Sequence, residues 1–321
     1  MIATARRVDH YALTVPDLDV AVDFIIDVIG GELVYRLPPL AYDDDWMQRY
    51  LDVHPRASCE IALLRLGPTT NLELFEYTAP DHNPVPPGPH EVGSTQLGLY
   101  VEDVPEAVTA LRDWLPVLTV TTDAARLMAP WRMPIELRSY PESVSPGRFG
   151  PCPLWSNRDD GTPAKSRVPG LRNVDHIGYT VANLDDAVTF FLDTLGAELL
   201  YRKGTEHAAL RVGPTDNVEL NCHGSLGAPP RNSDVGGRHL ALHVDDVDAA
   251  AAQLADVPGC TVLGGPETIT EGPIAGDRWV YVRTRIGLHI ELVRMPDGAL
   301  PYERETTARR RAAGGLQWTD R

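Results

Sequence analysis

Two stretches of this chain are nearly the same sentence. From Val8 it runs VDHYALTVPDLDVAVDFIIDVIGGELVYR, and from Val174 it runs VDHIGYTVANLDDAVTFFLDTLGAELLYR, with His10 and His176 in the same place. An internal repeat constrains architecture more than local propensity does, because one supersecondary unit must serve repeatedly and the copies must bury each other's apolar faces. The repetition continues downstream. LRLGPTTNLELFEY matches LRVGPTDNVELNCH, pairing Glu73 with Glu219. TQLGLYVEDVPEAVTALRDWL resembles RHLALHVDDVDAAAAQLADVP, aligning Gln96 with His239, and MPIELRSYP resembles LHIELVRMP, aligning Glu136 with Glu291. The chain therefore carries four modules arranged as two pairs.

Each module reads the same way. An alternating stretch such as HIGYTV predicts a strand with one buried face. NLDDAVTFFLDTLG then predicts a helix, with Asn183 as N-cap, Asp185 and Asp186 at the positive end of its dipole, and Gly196 as C-cap. Ala187, Phe190, Phe191 and Leu195 recur at helical spacing and should face the sheet. AELLYR, HAALRV and NVELN follow as shorter strands. The unit is βαβββ, and one unit alone exposes an apolar sheet face. The fold class is thus α+β, with four tandem βαβββ modules forming two curled-sheet domains. The expected division is 1–140 for the first domain (modules 1 and 2), 141–170 for a Pro/Gly-rich linker, 171–298 for the second domain (modules 3 and 4) and 299–321 for a polar tail. Trp155 and Phe149 suggest that part of the linker packs on a surface. The first copy carries one extra segment, LPPLAYDDDWMQRYLDVHPRA, and its second module lacks an equivalent of EGPIAGDRWVY.

Charge narrows the function. A formal net charge of −16 repels nucleic-acid phosphates and anionic membranes, so a small-molecule substrate is expected and neither of those partners. The basic run Arg309-Arg310-Arg311 reads as a solvated tail. Cys59, Cys152, Cys222 and Cys260 lie far apart without a CxxC pair, which fits a reducing compartment. The N-terminal MIATARRVDH lacks a signal-peptide core, and no run approaches the roughly 20 apolar residues that span a bilayer, so a cytoplasmic location is expected.

The polar repeat positions carry the chemistry. In every module one polar residue opens the first strand and one glutamate sits inside the last: His10 with Glu73, Gln96 with Glu136, His176 with Glu219, and His239 with Glu291. Each glutamate has apolar neighbours on both sides, so alternation sends the carboxylate to the opposite face from them. A carboxylate on the concave side of a curled sheet is costly unless neutralised, and a divalent cation held by imidazole, carboxylate and carboxamide would neutralise it while leaving positions open to substrate. His223, His243 and His289 lack this repeated placement and read as surface or structural residues.

The segments VDHIGYTVANLDDAVTFFLDTLG, NVELN, RHLALHVDDVDAA and GDRWVYVRTRIGLHIELV resemble the vicinal oxygen chelate superfamily, which includes glyoxalases, methylmalonyl-CoA epimerase, extradiol dioxygenases and bleomycin or fosfomycin resistance proteins. The resemblance takes in all four modules and implies glyoxalase-like domains, often dimeric, hence a homodimer. It implies His176, Glu219, His239 and Glu291 as the main ligands of a divalent ion (Zn, Fe, Co, Ni or Mn), with His10, Glu73, Gln96 and Glu136 as a degenerate set. Family members also exchange modules, in which case one site becomes His10, Glu73, His239 and Glu291. The implied reaction is proton abstraction beside a ketone through a metal-stabilised enediolate, with Glu219 and Glu291 as the acid/base pair. The tandem architecture most resembles the 2-epi-5-epi-valiolone epimerases of aminocyclitol antibiotic pathways, which implies a polyhydroxylated cyclic ketone as substrate. The competing implication is Fe(II)-dependent extradiol cleavage by His176, His239 and Glu291, with His207 and Tyr281 as acid/base residues. Glu219 as a second carboxylate argues against it. A non-catalytic antibiotic-binding protein ranks third, because such proteins lose the polar ligand positions that this chain keeps.

Overall fold

The computed structural model describes residues 1–140, 165–225, 227–306, 308 and 310. Phe149, Cys152 and Trp155 of the expected linker, and Arg309 and Arg311 of the basic run, lie outside the described residues. Module 1 contains β1 (Ala5–Thr14), α1 (Leu18–Phe24), β2 (Glu32–Ala41), α2 (Trp46–Leu51), β3 (Ser58–Leu66) and β4 (Thr70–Thr78). Module 2 contains β5 (Thr95–Val101), α3 (Val104–Leu111), β6 (Val117–Val120), β7 (Ala124–Met128) and β8 (Pro134–Arg138). Module 3 contains β9 (Leu171–Thr180), α4 (Leu184–Thr189), β10 (Glu198–Lys203), β11 (His207–Val212) and β12 (Asp216–Asn221). Module 4 contains β13 (Arg238–Val244), α5 (Val247–Ala255), β14 (Thr261–Val262), β15 (Glu267–Thr268), β16 (Arg278–Arg283) and β17 (His289–Arg294).

The helix signals act as their chemistry demands. Asn183 accepts a hydrogen bond from the Asp186 amide at 3.1 Å, and Gly196 ends the helical run in the left-handed conformation at φ 73°. Between them the last turns widen to π geometry, Phe190–Leu195, as do Ile25–Ile29 in module 1. Ala187, Phe190, Phe191 and Leu195 are all buried against the sheet.

The modules combine differently from the expected division. One sheet runs β14-β16-β17-β13-β1-β4-β3-β2, joining module 4 to module 1, and the other runs β10-β11-β12-β9-β5-β8-β7-β6, joining module 3 to module 2. The seams are β1 against β13 and β5 against β9, both antiparallel. Each sheet therefore takes one module from residues 1–140 and one from 171–298. Local sequence could not choose this pairing, because all four opening strands present the same alternation and the same hydrogen-bonding edge. The largest apolar cluster takes residues from both sheets, and Phe24 of module 1 meets Trp131 of module 2 edge-on at 5.4 Å.

Two further segments cover the first sheet. The extra segment of module 1 folds as the end of β2 and α2, and its Met47, Leu51, Val53 and Ala57 pack with Phe75, Tyr77, Trp279, Tyr281 and Val293. The tail does not lie wholly in solvent. Arg310 is only 3% exposed, and Tyr302 and Ala308 pack with Val34 and Tyr35. Arg310 is drawn inward because two buried carboxylates, Asp9 and Asp277, flank the guanidinium at 2.7 and 2.6 Å.

Candidate metal centre

Strand register builds the first site without any loop. Across β1 and β13, His10 faces Ala241 and Ala12 faces His239. The parallel neighbours extend the same two rungs, Ala12 to Glu73 on β4 and Ala241 to Glu291 on β17. His10 and Ala12 are two apart on one strand and so share a face, which puts all four polar side chains on one side of the sheet. A two-residue stagger relates the histidines, and a glutamate flanks each side. The alanines between them leave room for the imidazoles to bend inward.

The donor atoms converge. His10 Nε2 lies 3.1 Å from His239 Nε2, 3.2 Å from Glu73 Oε2 and 3.0 Å from Glu291 Oε2. His239 Nε2 lies 3.6 Å from Glu73 Oε2 and 3.2 Å from Glu291 Oε2. An ion about 2.0–2.2 Å from each of its nitrogen and oxygen ligands holds those ligands about 3.0–3.5 Å from one another, so these separations suit a common cation. Donor chemistry says the same. Asp9 Oδ2 accepts from His10 Nδ1 at 2.8 Å, which fixes the tautomer and aims the Nε2 lone pair into the cluster. Glu291 Oε2 is buried with no hydrogen bond of acceptable geometry, despite two imidazole nitrogens within 3.2 Å. Two buried carboxylates converge with two imidazole nitrogens here, and the carboxylates need positive charge between them.

The electrostatics match. Burial by itself would push Glu73 and Glu291 up, but the His10 and His239 imidazoles outweigh it and hold both carboxyls below the usual range. Burial would lower His10, yet Glu73 and Glu291 raise it well above an ordinary imidazole. A divalent ion bound here would have to displace the imidazole proton. Aromatic rings wall the site: Phe75 is 5.5 Å and Tyr281 4.8 Å from the His239 ring, centroid to centroid. The Tyr281 hydroxyl lies 3.4 Å from His239 Nε2, and burial, reinforced by Glu291 and Glu73, keeps it protonated.

The second sheet repeats the register with a different content. Gln96 faces Gly178 and Gly98 faces His176, while Gly178 neighbours Glu219 and Gly98 neighbours Glu136. Both spacers are glycine here; a Cβ at Gly98 would sit 2.3 Å from the His176 ring and one at Gly178 would sit 2.3 Å from Gln96 Cγ, so a methyl at either would force those side chains to shift. Asp175 orients His176 through Nδ1 at 2.6 Å, as Asp9 orients His10. Here Arg138 enters the cluster, donating to both oxygens of Glu219 at 2.6 and 2.9 Å and to Glu136 Oε1 at 3.1 Å.

The expected main set is thus divided between sheets. His239 and Glu291 join His10 and Glu73, whereas His176 and Glu219 join Gln96 and Glu136; the module-exchanged alternative is the arrangement found. Glu219, expected as half of the acid/base pair with Glu291, is on the other sheet and paired with Arg138. His207 lies 3.9 Å from Glu219 and is bonded to Asn221 at 3.0 Å, so it belongs to the second cluster. Tyr281 belongs to the first. Sequence reasoning passed over Asp9, Asp175 and Arg138. The twice-written VDH carried the first two, and Arg138, two residues after Glu136 on a strand, must share its face.

Comparisons with known proteins bear on the family and the fold. The Glyoxalase/Bleomycin resistance protein/Dioxygenase superfamily model matches residues 7–113 and 173–292. A 2-epi-5-epi-valiolone epimerase from Actinomyces sp is 46% identical over 178 residues, covering 48% of this chain and 94% of that protein. Among solved structures, a putative dioxygenase from Bacillus subtilis superposes with a TM-score of 0.62 at 14% identity, over 95% of this chain and 89% of that one. Glyoxalase I from Zea mays superposes with a TM-score of 0.59 at 16% identity, over 90% and 92%. At such identities these two likenesses concern the fold alone.

Proposed function

The chain belongs to the glyoxalase/bleomycin resistance protein/dioxygenase superfamily, and on that premise we propose a metal-dependent epimerase whose working centre is His10, Glu73, His239 and Glu291. The epimerase class is supported by the 46% identical relative. The substrate proposed, a polyhydroxylated cyclic ketone of the 2-epi-5-epi-valiolone type, follows from that relative's name. The observation that carries the metal is the convergence of four donors on one sheet face at 3.0–3.6 Å.

A divalent ion held there would act as a Lewis acid toward neighbouring ketone and hydroxyl oxygens, making the adjacent C–H acidic. The protein's own residues do the rest. Glu73 and Glu291 come from strands on opposite flanks of the histidine pair, so one can take the proton from one side of the carbon while the other returns a proton to the opposite side. That exchange inverts the centre. His10 and His239 remain fixed ligands, His10 oriented by Asp9. The Tyr281 phenol stays protonated and offers a hydrogen bond beside His239. Burial beside the Phe75 and Tyr281 rings lowers the local dielectric, which strengthens each of these interactions. Both histidines are 1% exposed, while Glu73 and Glu291 keep 6% and 8% of their surface.

Turnover of the cyclic ketone in D₂O should place deuterium at the inverted carbon, read by NMR. Glu73→Gln should lower kcat by about 10²–10⁴-fold, the usual contribution of a positioned acid or base, while retaining the ion. Oxygen consumption with a catechol and no solvent exchange would instead support ring cleavage and reject the epimerase.

A further inference from the structure

The second cluster keeps the repeat's ligand positions yet contains a cation of its own. We propose that the Arg138 guanidinium stands in for a divalent ion in the second sheet, so that this cluster is a latent metal site closed by one side chain.

Three observations carry this. The register is the same as in the first sheet, with Gln96, Glu136, His176 and Glu219 at the positions of His239, Glu291, His10 and Glu73. Ligand atoms of Glu136, His176 and Glu219 all lie within 4.8 Å of one another, and Gln96 Nε2 is 3.0 Å from His176 Nε2. The framework for an ion is therefore intact. Second, Arg138 occupies the lone pairs that an ion would use. Its fork spans both Glu219 oxygens, and its Nη2 lies 3.1 Å from Glu136 Oε1. A planar guanidinium matches a carboxylate bidentately and does not lose its charge, which makes it a permanent counter-ion. Third, the matching position in the first sheet is Val293, two residues after Glu291, and it brings no charge. Val293 is buried among Phe75, Tyr77 and Tyr281, so the first cluster has no guanidinium at this position and leaves the space between its carboxylates open to an ion. Burial of Arg138 is opposed and outweighed by Glu219 and Glu136, which hold the guanidinium firmly protonated.

Removing the guanidinium leaves two inward carboxylates and one imidazole facing each other, and rotation of the Gln96 amide would offer its oxygen as a fourth ligand. That set suits Co²⁺ or Zn²⁺. A cleft lined by Lys203, Glu206, His207 and Asn221 lies beside the cluster, with His207 of its wall 3.9 Å from Glu219.

The test is a metal count. Wild-type protein and Arg138→Val, the residue found in the first sheet, are stripped with chelator, loaded with Co²⁺, desalted and measured by mass spectrometry of the metal. Arg138→Val should hold one more ion per chain than wild type, and Arg138→Lys should match wild type. Equal counts in folded wild type and Arg138→Val would overturn the proposal. Should Arg138→Val not fold, wild type against His176→Ala decides: the same count supports an occupied second cluster, and one ion fewer overturns it. A wild-type count of zero would refute the proposed function above, yet a count of one in Arg138→Val would still support this inference.

Discussion

Replacing Arg310 by methionine removes a cation that the fold has placed between two buried acids. The guanidinium is 2% exposed and sits 2.7 Å from Asp9 and 2.6 Å from Asp277. Methionine keeps much of the apolar volume and none of the charge. Asp9 would retain His10 and the more distant charge of Arg7, and Asp277 would face Asp9 without the guanidinium. Breaking a buried ion pair by deleting one partner costs about 3–5 kcal/mol, so Arg310→Met should lose about that much stability at pH 7.5 in urea unfolding followed by circular dichroism. Burial already pushes the Asp277 carboxyl up to about 6 against the pull of Arg310. Without Arg310 its folded-state pKa should rise further above the unfolded value, so the folded variant binds the extra proton and the loss shrinks as pH falls from 7.5 toward 5. Arg310→Met/Asp277→Asn should recover part of the loss, because one carboxylate then disappears with its partner. A single variant within about 0.5 kcal/mol of wild type, the range of ordinary surface changes, would refute the reading of Arg310 as a buried bridge.

Asp216, 6% exposed, has its carboxyl raised to about 6 by burial, outweighing the hydrogen bond from Thr215 and the Arg211 charge. A raised carboxyl pKa lowers stability as pH climbs from the unfolded value to the folded one, so Asp216→Asn should gain on wild type between pH 4 and 6, reaching roughly 2–3 kcal/mol above that window; parallel stability curves would contradict this. Gly178→Ala forces a methyl against Gln96 and should cost about 1–3 kcal/mol by overpacking, measured by urea midpoint; no change would show that the spacer tolerates a side chain. Adding Zn²⁺ to chelated protein should raise Tm, since about 4 kcal/mol accrues at a thousandfold excess over Kd, and His239→Ala should abolish most of the rise in differential scanning fluorimetry.

The repeat made the module, its strands and its helix caps legible, because capping and alternation act over a few residues. Asn183 and Gly196 needed nothing beyond their neighbours. The ligand positions were legible too, since a glutamate flanked by leucines on a strand can point only one way. What could not be read was which module meets which. His176 and His10 sit in almost the same local sequence, and the difference between a cluster with Glu291 and one with Glu136 is decided by edges distant in the chain. The role of Arg310 was hidden for the same reason: a basic run in a polar tail looks solvated until two buried acids are found beside it. Arg138 was within reach. Strand alternation alone puts it on the face of Glu136, where a second cation is redundant unless the first is missing.

The central claim is that one ion sits between His10, Glu73, His239 and Glu291. Anomalous diffraction at the absorption edge of the bound metal tests it directly. A peak is expected about 2.0–2.2 Å from His10 Nε2 and His239 Nε2. A peak beside His176 and Glu219 with none in the first sheet would contradict it, as would a fully active crystal with no peak at either place.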